Sequence, residues 1–320
     1  MSQHRALISC PLIQDTIHEF DETLASHGIA YDVPDVDQQL SEADLLACID
    51  EYDAVLAGDD ELTGRVLRAA DRLQVIAKWG VGTDNIDQET AADEGIAVYN
   101  TPGTLSDDVA DVVLGYTTML TRRLHDVDDA VRAGEWYCPR GTSLRGATLG
   151  IVGVGNIGSA VARRAAAHRM EVLGYDVVPF DDELVADTGI SRVDRDELFE
   201  RADVVSINCP LNSETEQMVD RAALQRLGPD GYLVNTSRGE IVDQSALVAA
   251  VRDGTIAGAA LDVFEREPLP SDDPLTELDD VLLGSHNAQN THEAVQRTNE
   301  RCIENLVNGL AETTTPASTD

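Results

Sequence analysis

The chain has 320 residues and a formal charge of −36, from 23 Lys and Arg against 59 Asp and Glu. That length accommodates two domains with a substantial core, and that charge repels nucleic-acid phosphates and anionic lipid surfaces, so neither is an expected partner. Lys78 is the only lysine. The acids are spread along the chain. The plain reading is a solvated acidic surface; the sharper one is adaptation to very high salt, where ions screen the self-repulsion.

The five cysteines (Cys10, Cys48, Cys138, Cys209, Cys302) are scattered, with no CxxC or Cys/His ligand spacing. A reducing compartment and no metal site are expected. The apolar run near the N-terminus is too short for a signal peptide, and no run reaches membrane-spanning length. The chain is read as cytoplasmic, with no membrane partner.

Taken in order, residues 5–10 form a short apolar run that predicts a buried strand, and 14–26 carry helical spacing at Ile17, Phe20 and Leu24. The unit recurs: 29–33 strand-like, 42–49 helical, 54–57 strand, 63–70 helical, 73–77 strand and 97–99 strand. Strands alternating with helices predict βαβ units and a parallel sheet. The exit of the 73–77 strand reads Lys78-Trp79-Gly80-Val81-Gly82-Thr83-Asp84-Asn85-Ile86-Asp87. In open α/β sheets ligands bind outside the carboxyl ends of strands, and two glycines there free backbone N–H groups to cradle an anion. The same residues also suit an ordinary loop with a capped helix after it.

After Pro102 a long helix is predicted over residues 107–124. Then Leu149 to Val152 run into Gly153-Val154-Gly155-Asn156-Ile157-Gly158, an Ala/Arg-rich helical stretch follows over 159–169, and a second apolar run, 172–175, ends on Asp176, eighteen residues after Gly158. The glycines have separate tasks: Gly153 for the tight turn, Gly155 for approach to a pyrophosphate, Gly158 for close helix–strand packing. The helix N-terminus supplies N–H groups and a positive dipole to the phosphates. Asp176 stands where a carboxylate accepts from the hydroxyls of an adenosine ribose. A glycine fingerprint that follows a strand, opens a helix and meets an acid at this distance predicts dinucleotide binding. No arginine adjoins Asp176 in the sequence, which favours NAD over NADP.

Further strands are predicted over 204–207, 232–235, 259–261 and 281–284, with a helix over 245–252 and a last helix over 291–310; the tail from Thr313 is expected to lack structure. Past the strand ends lie Arg238, Glu267 and His286. An arginine offers a planar fork for a carboxylate. A histidine moves a proton near neutral pH, and a carboxylate beside it orients the ring. With a nicotinamide these are the parts that interconvert a hydroxy acid and a keto acid. Spacing alone does not select them from 7 histidines and 59 acids.

The runs Gly153-Val-Gly-Asn-Ile-Gly158, Asn235-Thr-Ser-Arg238-Gly-Glu-Ile-Val-Asp243 and Ala260-Leu-Asp262-Val-Phe-Glu-Arg-Glu267-Pro268, with His286 and the 80–87 loop, resemble the D-isomer-specific 2-hydroxyacid dehydrogenases. The resemblance covers nearly the whole chain. It implies an α/β fold of two doubly wound parallel-sheet domains. A Rossmann nucleotide domain (101–287) would be inserted into a discontinuous, flavodoxin-like substrate domain (1–100 and 288–320), with hinges allowing closure. It implies His286 as general acid/base, Glu267 as its tuner and Arg238 as the group that holds the substrate carboxylate and polarises the keto oxygen. Val81 and Gly82 would add backbone N–H groups, and Lys78 would contact the distal end of the substrate. Asn156, Ile157, Asp176, Cys209, Thr236 and Asp262 fall on positions that contact the nucleotide, Asp262 at the nicotinamide amide. NAD is the implied cofactor, a small hydroxy or keto acid the substrate, and a homodimer the assembly.

Departures are visible. Ser285 replaces a usual proline before His286, Asp111 stands where glutamate is usual, and 104–108 lack a common asparagine. The 78–87 run is similar to phosphoglycerate dehydrogenases, which makes 3-phosphoglycerate one candidate substrate, yet Gly58-Asp59-Asp60 would repel a phosphate. A nucleotide-sensing corepressor of the same fold is the alternative to an enzyme.

Overall fold

The computed structural model describes residues 3–36 and 38–313. The strands among them are β1 (His4–Ile8), β2 (Ile29–Asp32), β3 (Ala54–Ala57), β4 (Val75–Lys78), β5 (Ala97–Tyr99), β6 (Thr148–Val152), β7 (Glu171–Tyr175), β8 (Ser191–Arg192), β9 (Val204–Ile207), β10 (Tyr232–Asn235), β11 (Gly258–Leu261) and β12 (Val281–Leu283). They form two sheets, in the orders β2-β1-β3-β4-β5 and β12-β11-β10-β9-β6-β7-β8, and every pairing is parallel. The chain divides into two compact units. One is built from the chain up to Leu105 and from Thr291 on; the other is Ser106–Asn290. The five-strand order is the flavodoxin-like one, with its switch point between β1 and β3. The seven-strand order is that of a dinucleotide-binding sheet extended by one strand, with its switch point between β6 and β9.

Both faces of the larger sheet are covered, which is why its strands read as apolar runs without alternation. Successive residues point to opposite faces, so Val205, Leu233 and Ala259 join one core layer with Leu198, Phe199, Leu224 and Leu247. Their neighbours Val204, Val234 and Ala260 join the other, with Val113, Leu149, Ile151 and Val161. The smaller unit packs Leu7, Val55, Ala57 and Ile76 against Leu45, Val66, Leu67 and Ile96.

Helices depart from their expected spans where local chemistry interrupts them. The 14–26 stretch is three pieces, Pro11–Gln14, a 3₁₀ turn Ile17–Phe20, and Asp21–Ser26. Thr16 separates the first two, its hydroxyl donating to the Ile13 carbonyl at 3.3 Å, a local bond that competes with helix propagation. The long helix is Ser106–Arg122; Arg123 then turns left-handed (φ 51°) before Leu124–Arg132 begins. The last helix runs His292–Thr313, and the tail beyond it lies outside the described residues. No helix among them is long and apolar enough to cross a membrane.

Candidate functional site

Most helices that leave strand ends close their N-termini with their own side chains. Asp87, Asp181, Asp220 and Asp243 each accept from a backbone N–H of the first turn, bonds of about 1 kcal/mol each. The helix Asn156–Ala167 differs: its N-cap is Gly155, with no side-chain cap. Its first N–H groups and the positive end of its dipole are left for an external anion. Gly153 sits at φ 90°, and a Cβ there would meet the Asn208–Cys209 backbone at 2.7 Å. A Cβ at Gly158 would overlap the Gly153 carbonyl oxygen, whereas one at Gly155 would have nothing within 4 Å. Gly153 and Gly158 are therefore required by the fold itself, and Gly155 is not.

Asp176, just past β7, lies at the same end. Its Oδ2 accepts from the Val154 N–H at 2.7 Å and its Oδ1 from the Val178 N–H at 3.0 Å, so the carboxylate is fixed beside the glycine loop. The expectation that no arginine stands beside it fails. Arg192, sixteen residues on and brought alongside by the β7–β8 pairing, donates from Nη2 to the Asp176 carbonyl at 2.6 Å. Cys209 lies partly buried after β9, its Sγ 4.0 Å from Met218 Sδ. Burial pushes its thiol up to about 11, so it contributes as a neutral, polarisable surface. Thr236, after β10, has a buried Oγ1 with no hydrogen-bond partner. An orphaned hydroxyl at a strand end calls for a ligand or water to satisfy it. The uncapped helix, the glycine spacing, the fixed carboxylate and this hydroxyl together fit a dinucleotide.

The residues expected to do chemistry come together in the same unit. His286 Nδ1 lies 2.8 Å from Glu267 Oε2, with side chains 27% and 22% exposed. The other carboxylate oxygen of Glu267 accepts from the Phe264 N–H at 3.0 Å. An ionised carboxylate only accepts, so against it Nδ1 is the donor, and Nε2 is the ring nitrogen that can exchange a proton with a substrate. His286 has φ 53°, an uncommon state for a side-chain-bearing residue. It is held there from both sides: its N–H donates to the Asp262 carbonyl at 2.7 Å and its carbonyl accepts from Gln289 Nε2 at 2.8 Å. Such strain persists only where surrounding contacts over-determine it.

Asp262 ties this loop down. It is 2% exposed; Oδ2 accepts from the Ala288 N–H at 2.8 Å and Oδ1 faces the Tyr116 hydroxyl at 3.4 Å. Burial, aided by Asp262, pushes Tyr116 up to about 12, so its hydroxyl stays protonated as a donor. Arg238 follows β10, its Nη1 donating to the Ser237 carbonyl at 2.8 Å. Asn235 shapes that turn, accepting from the Ser237 N–H at 3.0 Å and donating to the Arg238 carbonyl at 2.8 Å. A Cβ at Gly239 would overlap the Phe264–Glu265 backbone, so the Arg238 turn rests directly on the segment that leads to Glu267. Asn235 and Tyr116 were not singled out from sequence. The signal for Asn235 was present, an amide closing an apolar strand; Tyr116 carried none, because its partner is 146 residues away.

In the other unit Lys78 ends β4, only 3% exposed. Its Nζ pairs with Asp59 at 3.1 Å and donates to the Trp79 carbonyl at 2.8 Å. Asp60 turns inward to Ser9 and to the N–H groups of Leu40 and Gly58. Val81 is 38% exposed, and its carbonyl accepts from Asn100 Nδ2 at 2.7 Å. Gly82 follows it in the same turn.

Residues 114–288 match the family model described as D-isomer specific 2-hydroxyacid dehydrogenase, NAD binding domain. The chain is 41% identical over 274 residues to a glyoxylate reductase of Thermofilum pendens, spanning 83% of this chain and 81% of that one. It is 36% identical over 297 residues to a D-3-phosphoglycerate dehydrogenase of Methanocaldococcus jannaschii, spanning 91% of this chain and 54% of that one. Its structure is similar to that of a D-lactate dehydrogenase from Aquifex aeolicus complexed with NAD and lactic acid, with a TM-score of 0.86, 27% identity and 96% of each chain covered.

Proposed function

The chain belongs to the D-isomer specific 2-hydroxyacid dehydrogenases, and from that premise we propose that it reduces a small 2-keto acid to the D-2-hydroxy acid, or the reverse, with NAD and with the residues named above. Ser106–Asn290 is the nucleotide unit and the remainder the substrate unit. The pair His286–Glu267 at 2.8 Å carries this reading, because a ring held at Nδ1 by a carboxylate exchanges a proton with the substrate oxygen through Nε2.

When bound, the nicotinamide supplies or accepts the hydride. His286 Nε2 takes the hydroxyl proton in oxidation and returns it in reduction. Glu267 holds the ring in the tautomer this requires and compensates the imidazolium once formed. Arg238 offers its fork to the substrate carboxylate and to the charge that develops on the keto oxygen. The Val81–Gly82 turn is a second candidate for binding a substrate anion through backbone N–H groups. Lys78, its charge offset by Asp59, holds the Trp79 carbonyl and so shapes that turn. Gly153 to Gly158 and Asp176 bind the pyrophosphate and ribose, with Cys209, Thr236 and Asp262 along the rest of the cofactor. A homodimer is the proposed assembly, supported by exposed Leu124, Val131 and Trp136 after the long helix. The acidic surface supports adaptation to high salt.

The direct test is NADH oxidation with glyoxylate, hydroxypyruvate, pyruvate, longer 2-keto acids and 3-phosphohydroxypyruvate, in dilute buffer and in molar KCl. Turnover of at least one short keto acid is expected. NADH binding without turnover of any would favour a sensor, a reading that the relatives above do not support.

Gly155→Ala separates ligand approach from folding. The added methyl has open space, so the melting temperature should fall by no more than about 4 °C, the cost of alanine at an N-cap, while NADH binding weakens roughly tenfold as the pyrophosphate loses its close approach. Calorimetry and fluorescence titration measure the two; unchanged affinity would remove the glycine loop from the site.

A further inference from the structure

The adenosine end holds a cation that the glycine fingerprint does not announce. Arg192 ends the two-residue edge strand β8. Its guanidinium lies over the Phe180 ring, 5.6 Å from the centroid, and Nη2 reaches the Asp176 carbonyl. Among the described residues it makes no ion pair, although the chain carries 59 acids, and its Nε and Nη1 have no acceptor there. The Asp176 carboxylate faces the other way, toward the Val154 and Val178 N–H groups. Val177, between them, is 76% exposed. Two opposite charges thus flank one point: a carboxylate suited to a ribose diol, and a guanidinium with open donors suited to a phosphate.

We propose that Arg192 is the residue that sets cofactor selectivity, admitting the 2′-phosphate of NADP(H) against the opposition of Asp176, so that the protein binds both nucleotides with NAD(H) preferred. The inference rests on the dinucleotide reading of the glycine loop. Phe180 and the Asp176 carbonyl preorganise the guanidinium, so little rotamer entropy is lost when it meets a phosphate. A 2′-hydroxyl offers that cation no charge to meet, so Arg192 contributes to the phosphorylated cofactor alone.

The test is fluorescence titration of NADH and NADPH against the full chain and its Arg192→Leu, Asp176→Asn and double variants, with thermal melting of each nucleotide complex as a second readout. Arg192 is exposed, so its replacement leaves the fold intact. Arg192→Leu should weaken NADPH about tenfold or more and NADH less than twofold, as expected when one charge-assisted contact to a phosphate is lost. Asp176→Asn should tighten NADPH about tenfold, and the double variant should lose that gain. Equal weakening of both nucleotides by Arg192→Leu would make Arg192 only a wall of the pocket and overturn the proposal, as would no change in either. Failure of the unaltered protein to bind either nucleotide would overturn the dinucleotide reading itself.

Discussion

His286→Gln should lower kcat by about 10³-fold, the middle of the range for loss of a positioned acid/base, while NADH affinity stays within about twofold. Glutamine fills much of the imidazole volume and can still reach Glu267, so the loop geometry survives. What disappears is Nε2, the nitrogen through which a ring held at Nδ1 by Glu267 exchanges a proton. The loss should fall on kcat, because the proton moves only as the reaction proceeds. Glu267→Gln should cost less. Its single amide oxygen can still accept from His286 Nδ1, but the NH2 then faces the Phe264 N–H, which loses its acceptor, and the charge that compensates the imidazolium is gone. Steady-state kinetics with matched nucleotide titrations would measure both. Parent-like kcat in His286→Gln would move the proton transfer to another group, and Glu267→Gln as damaging as His286→Gln would mean that the carboxylate itself carries the proton.

How far the site was legible follows from the length scale of each signal. The strands were readable because residues such as Ala54-Val55-Leu56-Ala57 are buried on both faces, so an unbroken apolar run is their signature. The two-residue β8, wholly exposed, has no such signature. The nucleotide loop was readable because one short strand–turn–helix carries all its constraints. His286, Glu267 and Arg238 were not separable from other polar residues by pattern, because what distinguishes them is contact across sequence: 19 residues between His286 and Glu267, and 26 between Ala288 and the Asp262 carboxylate that pins the loop. The family resemblance supplied the selection that local physics could not. Arg192 shows the opposite failure. Absence of an arginine beside Asp176 in sequence is not absence in space, because parallel strand pairing brings one in from sixteen residues downstream.

Gly239→Ala tests whether that long-range assembly holds the site together. Gly239 is buried, and the added methyl would overlap the Phe264 carbonyl and the Glu265 nitrogen, all backbone atoms. A flexible side chain could swing aside; these atoms can move only by shifting the chain that runs from Asp262 to Glu267. Overpacking of this kind costs about 3 kcal/mol, which in a unit of this size lowers the melting temperature by roughly 6–12 °C. The same shift carries Glu267 Oε2 off its 2.8 Å contact with His286 Nδ1, so kcat should fall by roughly 10²-fold even in the fraction that remains folded. NADH affinity should fall less than kcat, since Asp262 borders the shifted chain but the glycine loop lies on β6, across β9 from the strand that leads into Gly239. A destabilised protein with parent-like kcat would uncouple Gly239 packing from His286 positioning, and an unchanged melting temperature would mean that the two backbones do not meet.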